Sequence, residues 1–362
     1  MIFLKKSNLI KLANLLIKEI EKLTDGKHIR IMEVCGTHTV SIFRYGIKSL
    51  LPDNIELISG PGCPVCVTPI SDIDKAIEIS KIKGVILVTF GDILKVPGSF
   101  SSLYKEKAKG ANIRVIISPL DAVKIAEENK DKRIVFFTIG FETTSPAIAI
   151  AVKEARKRKL KNFFILSSQK LIPPAIKALL SSKKIKIDGF ILPGHVSTII
   201  GVKPYLFIAN NFKIPSVITG FEGLDILEGI YMLLKQKKEG KIAVEIQYKR
   251  AVKEEGNKLA LNVMMEVFDI VDSKWRGLGT IPRSGLDLKD KFSDMNALNI
   301  FNIPSYYKED QKKCICGEIL QGLKKPLDCP LFKKICTPDN PFGPCMVSSE
   351  GVCSVYYKYG EK

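Results

Sequence analysis

The chain has 362 residues, 46% hydrophobic and 26% charged, with nine cysteines, three histidines and a formal net charge of +18. That length buries a substantial core without staples, and no uninterrupted apolar run reaches the roughly 18–20 residues that a bilayer helix needs. The lysines are scattered through stretches such as "KKEGK" and "KEARKRKLK", with 8% aromatics and no stacking pattern beside them, so the charge reads as solvated surface rather than a nucleic-acid face.

Residues 1–25 alternate Leu and Ile with Lys, Asn and Glu at helical spacing, which predicts an amphipathic helix rather than a secretory signal. A cytoplasmic chain is the expectation, and there clustered cysteines are more often metal ligands or redox groups than structural disulfides. From about residue 26 to 245, β-branched runs alternate with helix-length segments. The predicted strands are "IRIMEV" (29–34), "IELIS" (55–59), "GVILVTF" (84–90), "IRVIIS" (113–118), "RIVFFTIG" (133–140), "NFFILSS" (162–168), "IDGFILPG" (187–194) and "PSVITGF" (215–221). Continuous apolar strands separated by amphipathic helices imply an α/β fold with doubly wound parallel sheets. Eight strands exceed one compact half, so two sequential domains are expected, residues 26–122 and 123–250. Residues 251–362 form a third module, helical at first ("VKEEGNKLALNVMMEVFDIVD") and then rich in cysteine.

The strand ends carry the polar residues: "IMEV" runs into "CGTHT", "ELIS" into "GPGCPVC", "ILVTF" into "GDILKVPGS", "FFTI" into "GFETT", "FILP" into "GHVS" and "VITG" into "FEGLD". Ligands of open α/β sheets bind outside the carboxyl ends of the strands, so a cleft between two domains is expected here. Any one loop could equally be capping its helix. Cys35 stands three residues before His38, and Cys63 and Cys66 form a C-x-x-C in the next loop. A loop that opens a helix lowers a thiol pKa through its N–H groups and dipole. His38 could be a partner base or a supporting donor. Three thiolates and an imidazole suit iron, copper or zinc; a thioredoxin-like redox pair is the alternative. The other loops offer Asp92, Glu142, Thr143, Thr144, His195, Ser197, Glu222 and Asp225. Thr143 and Asp225 also sit where caps belong. No Walker A and no post-strand G-x-G-x-x-G is present, so neither ATP nor a dinucleotide is supported.

The tail holds Cys314, Cys316, Cys329, Cys336, Cys345 and Cys353 among turn-forming prolines and glycines. Four such thiolates commonly hold an iron–sulfur cluster. Zinc is the rival, but only Cys314 and Cys316 approach a knuckle, and their one-residue gap is tighter than the usual two to four. A purely redox thiol set is the third reading.

Together "EVCGTHT", "GPGCPVC", "TIGFETT", "LPGHVS", "GFEGLDIL" and "CPLFKKICTPDNPFGPCMVSSEGVC" resemble the HypD family of hydrogenase maturation proteins over residues 26–358. The resemblance implies two Rossmann- or thioredoxin-like domains and a C-terminal 4Fe-4S module. It implies a scaffold for the Fe(CN)2CO group of NiFe-hydrogenase, sharing iron with HypC and accepting cyanide from HypE, with no nucleic acid, no membrane and a monomer when alone. Carried over, Cys35, Cys63 and Cys66 are the cleft thiols, and His38, Glu142 and His195 are their polar neighbours. Cys329, Cys336, Cys345 and Cys353 are the expected cluster ligands, with Cys316 as substitute. Cys35 would ligate iron together with a HypC cysteine, while Cys63 and Cys66 handle redox and cyanide transfer. An iron–sulfur thiol–disulfide reductase without a scaffold role is the competing reading, and a metal-stabilised binding module a third.

Overall fold

The computed structural model describes residues 6–182, 184–303 and 314–360. The strands are β1 (Ile29–Glu33), β2 (Ile55–Ser59), β3 (Val85–Phe90), β4 (Ile113–Ile116), β5 (Arg133–Gly140), β6 (Phe163–Lys170), β7 (Gly189–Pro193), β8 (Ser216–Thr219), β9 (Val244–Ile246), β10 (Phe268–Trp275) and β11 (Gly279–Leu288). All eight strands expected from the β-branched runs are present.

They do not group as two sequential halves. One sheet has the order β2-β1-β7-β8-β9 and is wholly parallel; the other runs β10-β11-β6-β5-β3-β4 and is parallel except at β11 and β10. The chain leaves the first sheet after β2, builds β3–β6 in the second, and returns at β7. The division at residues 122/123 therefore falls inside the second sheet, between β4 and β5. Sheet membership depends on which distant strand meets an open edge, and each strand's own pattern is the same in either sheet.

The alternation of side chains explains how the layers stack. Met32, Ile58, Phe190 and Leu192 from the first sheet and Leu87, Val135 and Phe137 from the second belong to one continuous core that also takes in Cys63, Cys66 and the tail cysteines. Their neighbours point the other way, because successive strand residues face opposite sides. Ile31, Leu57 and Ile191 pack under the helices Lys6–Leu23 and Gly223–Glu239, whereas Ile86, Ile134 and Phe136 pack under Pro119–Glu128, Ser145–Lys157 and Lys258–Val267. Both sheets are thus covered on both faces, as parallel sheets require.

The third module differs from expectation in one place. Helix Lys258–Val267 ends before "FDIVD", which starts β10 of an antiparallel hairpin with β11. Helical spacing runs on through Phe268 and Ile270, but Asn257 caps a helix of only ten residues, and Phe268 pairs with Leu288 instead. Residues 314–360 form short helices and turns. Among the described residues no helix is long and apolar enough to cross a membrane.

Candidate functional site

In the first sheet β1 has β2 on one side and β7 on the other, so the strand order reverses between β1 and β7, the place where ligands of open α/β sheets bind. The loop after β1 supplies Cys35 and His38, the loop after β2 supplies Cys63 and Cys66, that after β7 supplies His195, and that after β8 supplies Phe221.

Cys35 caps the helix Gly36–Arg44 from an extended backbone. Gly36 N–H donates to the Gly62 carbonyl at 3.1 Å, and a Cβ on Gly62 would lie 2.2 Å from the Cys35 nitrogen. Glycine at 62 is therefore what lets the two thiol loops close on each other. The thiol does receive the local help expected of a helix start, from the His38 N–H. Burial outweighs it, and with Glu350 and Glu33 adding negative potential the Cys35 thiol is pushed up to about 12. The expectation of a lowered pKa thus fails, because the N-terminal dipole offers a fraction of a charge and complete desolvation penalises a full one.

His38 is fully buried. Its Nε2 lies 2.9 Å from the Gly220 carbonyl and 2.9 Å from the Thr219 hydroxyl. A carbonyl only accepts, so Nε2 carries the proton and Nδ1 is left with its lone pair; Nδ1 is buried with no hydrogen-bond partner. Burial lowers the His38 pKa to about 4, which keeps the ring neutral. Phe221 is sandwiched between the imidazoles, stacked 4.6 Å from His38 and 3.8 Å from His195. His195 is exposed, though partial burial still lowers its pKa.

Cys63 and Cys66 are joined as a disulfide with Cα atoms 5.2 Å apart, and both are buried. Cys63 caps the short helix Pro64–Val67, its sulfur accepting from the Cys66 N–H at 3.3 Å. This helix packs on Pro344–Val347, the tail helix that carries Cys345. The tail also covers Cys35: Thr37 Oγ1 donates to Glu350 at 2.6 Å, and Phe43 packs against Tyr356 with ring centroids 4.6 Å apart.

Glu142 follows β5 in the other sheet and makes no hydrogen bond to the thiol loops. Its Oε1 accepts from Ile172 N–H at 3.0 Å, its Oε2 is buried without a partner, and burial pushes its pKa up to about 8. It lies on the wall of a largely apolar pocket with Leu171, Ile200, Met264 and Ile281. Tyr205 connects the regions: burial, then Glu142, raise its pKa, and Cys35 contributes as well. Several other loop residues are structural. Asp225 closes a capping box with Glu222 and takes a two-armed bond from Arg250 at 2.8 and 2.5 Å. Thr144 and Ser197 bond back to Phe141 and Pro193, and Asp92 is exposed on a turn.

Two acids escaped the sequence reading. Glu33, the residue before the end of "IMEV", is fully buried; burial pushes its pKa up to about 7 against hydrogen bonds from Thr39, Ser59 and Cys35. Its Oε2 accepts the Cys35 N–H at 2.8 Å and its Oε1 the Thr39 hydroxyl. A charged residue inside an apolar strand was the signal. Glu350, which covers Cys35 from the far end of the chain, had none.

The six tail cysteines line one pocket with Ile319, Leu331, Phe332 and Met346. Soft thiols in an apolar wall are the donor set that iron–sulfur clusters take, so the residues fit such a group, and also fit zinc. Among the described residues no three His, Cys, Asp or Glu side chains stand ready to grip a single metal ion. Burial raises the Cys353 thiol well above its usual value.

A protein-family model described as "HypD: Hydrogenase formation hypA family" matches residues 11–360. The chain is 46% identical to hydrogenase maturation factor HypD2 of Bradyrhizobium diazoefficiens, over 92% of this chain and 90% of that protein. It is 45% identical to hydrogenase maturation factor HypD of Escherichia coli, over 94% and 91%, and 46% identical to the hydrogenase expression/formation protein HupD of Azotobacter chroococcum, over 93% and 90%. With the cleft motifs in order and the match running through the cysteine-rich tail, the chain belongs to the HypD family of hydrogenase maturation factors.

Proposed function

We propose that the chain is the scaffold on which the Fe(CN)2CO group of NiFe-hydrogenase is assembled, with iron as cargo shared between Cys35 and a HypC cysteine and cyanide arriving from HypE. One observation carries the reading: Cys35, the Cys63–Cys66 pair and a neutral His38 with an unused Nδ1 come together at the strand-order reversal of one sheet, under the tail. In the metal-free state Cys35 stays protonated because it is buried. Iron binding displaces that proton, and the Glu33 carboxyl, whose pKa is about 7 and which holds the Cys35 N–H, is the nearby group able to take it. His38 Nδ1 accepts a proton or a hydrogen bond from an incoming ligand. Cys63 and Cys66 exchange two electrons between disulfide and dithiol.

Cys329, Cys336, Cys345 and Cys353 would hold a 4Fe-4S cluster, which when bound supplies single electrons. Helix Pro344–Val347, which carries Cys345, packs on the helix of the C-x-x-C pair. That packing also favours the thiol–disulfide reductase reading, which needs neither Cys35 nor His38. Infrared spectroscopy of anaerobically prepared protein with its small partner separates the two. The scaffold requires metal-bound CO and CN bands that vanish in Cys35→Ala while the tail absorbance stays. Full bands in that variant would remove Cys35 from the mechanism, and no bands in the native protein would leave the reductase.

A further inference from the structure

Glu142 stands in a motif that the scaffold reading leaves unused, on the wall of a cavity of about 760 Å³ that shares no residue with the thiol loops. Small-molecule sites have volumes of about 300–1,000 Å³ and mostly apolar walls. Leu171, Ile200 and Met264 are buried and form the floor of this one, whereas Met265, Lys177 and Arg283 are exposed at its mouth.

An irregularity in the hairpin shapes the cavity. β10 and β11 change register between Val271 and Ser273, so Pro282, Arg283 and Ser284 stand opposite Asp272 alone. Arg283 takes φ of 51° there, a left-handed backbone that is unfavourable for any residue but glycine. Asp272 Oδ1 holds the bend by accepting the Arg283 N–H at 2.9 Å. Regular strand residues alternate between faces, yet Ile281, Pro282 and Arg283 all line this one cavity. The bulge thus turns a cation onto an apolar wall, as bulges beside ligand sites do.

Helix Ile172–Ser181 brings the second cation, Lys177. Among the described residues neither the Lys177 nor the Arg283 side chain forms an ion pair. The wall sets no negative charge against them: the free oxygen of Glu142 is buried out of reach of the cavity, and burial pushes its pKa up to about 8, which keeps the carboxyl uncharged at neutral pH. Met264 and Met265 add side chains that adapt to apolar ligands of varied shape. Two cations at the mouth of an apolar cavity favour a ligand that is negative at one end and hydrocarbon along the rest.

We propose that this cavity binds a small amphipathic carboxylate, its hydrocarbon body against Leu171, Ile200 and Met264 and its anionic end paired with Lys177 and Arg283. The site goes beyond the scaffold reading. Because it shares no residue with the thiol loops, its test is independent of the infrared result.

Isothermal titration calorimetry of the full chain compares decanoate, decan-1-ol and protonated decylamine, which share one hydrocarbon body and differ at the end, each below its micelle concentration. Decanoate should bind saturably, at least about threefold more tightly than the alcohol, with the amine weakest. Dodecanoate should bind about tenfold more tightly than decanoate, since each buried CH2 is worth roughly fourfold. Arg283→Gly removes the cation and accepts the left-handed backbone without strain; it should weaken decanoate at least about threefold and leave the alcohol unchanged. The ranking of the three ligands on the native protein stands even where the variant folds poorly. Absence of saturable decanoate binding overturns the site, as does native-strength decanoate binding in Arg283→Gly. The alcohol binding as tightly as decanoate overturns it too, and leaves a merely apolar groove of the kind that takes a partner's helix.

Discussion

Glu33→Gln tests whether the carboxyl beneath Cys35 is uncharged when buried. Glutamine reproduces the protonated acid: its oxygen can accept the Cys35 N–H and its amide can bond Thr39, the two contacts that Glu33 makes. The carboxyl pKa goes from 4.5 to about 7 on folding, chiefly through burial. A raised carboxyl pKa means that the folded chain binds the extra proton between those values. The stabilisation is therefore present at low pH and is lost as pH rises through about 7. Linkage over that window gives the native protein about 2.5 kcal/mol less stability at about pH 8 than at about pH 5 from this group alone. Urea midpoints of the two proteins, measured side by side across that range, isolate the term because other titrating groups cancel in the difference. The native curve should fall relative to the variant as pH rises. Parallel curves would show that burial does not raise the Glu33 pKa, leaving its carboxylate too weak a base to take the Cys35 proton.

Gly62→Ala places a methyl 2.2 Å from the Cys35 nitrogen and should cost about 1–3 kcal/mol as overpacking; an unchanged melting temperature would show that the two thiol loops do not touch. Phe221→Leu removes the stack on His195 and should raise the His195 pKa back toward its ordinary value, read by NMR titration of the ring protons; no change would assign the lowering to other neighbours. The Cys35→Ala infrared experiment completes the set.

Much of the site was legible because its chemistry is carried by short loops directly after strands, and an apolar β-branched run announces where each strand ends. "CGTHT" and "GPGCPVC" could be placed side by side on that ground, and β1 and β2 are indeed paired from Ile29↔Ile55 to Glu33↔Ser59. Glu142 was legible as a strand-end acid, yet it belongs to the other sheet and faces an apolar pocket. The β10–β11 hairpin was missed because β10 is an edge strand with only Phe268 and Trp275 buried, so its pattern continues the preceding helix instead of breaking it.

By itself the amino-acid order determined eight of the eleven strands among the described residues, their parallel, covered character and which loops carry sulfur and imidazole, since those follow from side-chain periodicity over a few residues. Tertiary structure alone decided that β1 and β2 join β7–β9 and that Glu350 lies over Cys35. It also set the protonation of the site. The pKa values of Cys35, His38 and Glu33 depend on how much water distant segments exclude, and desolvation is a property of the packed whole that no local spacing encodes.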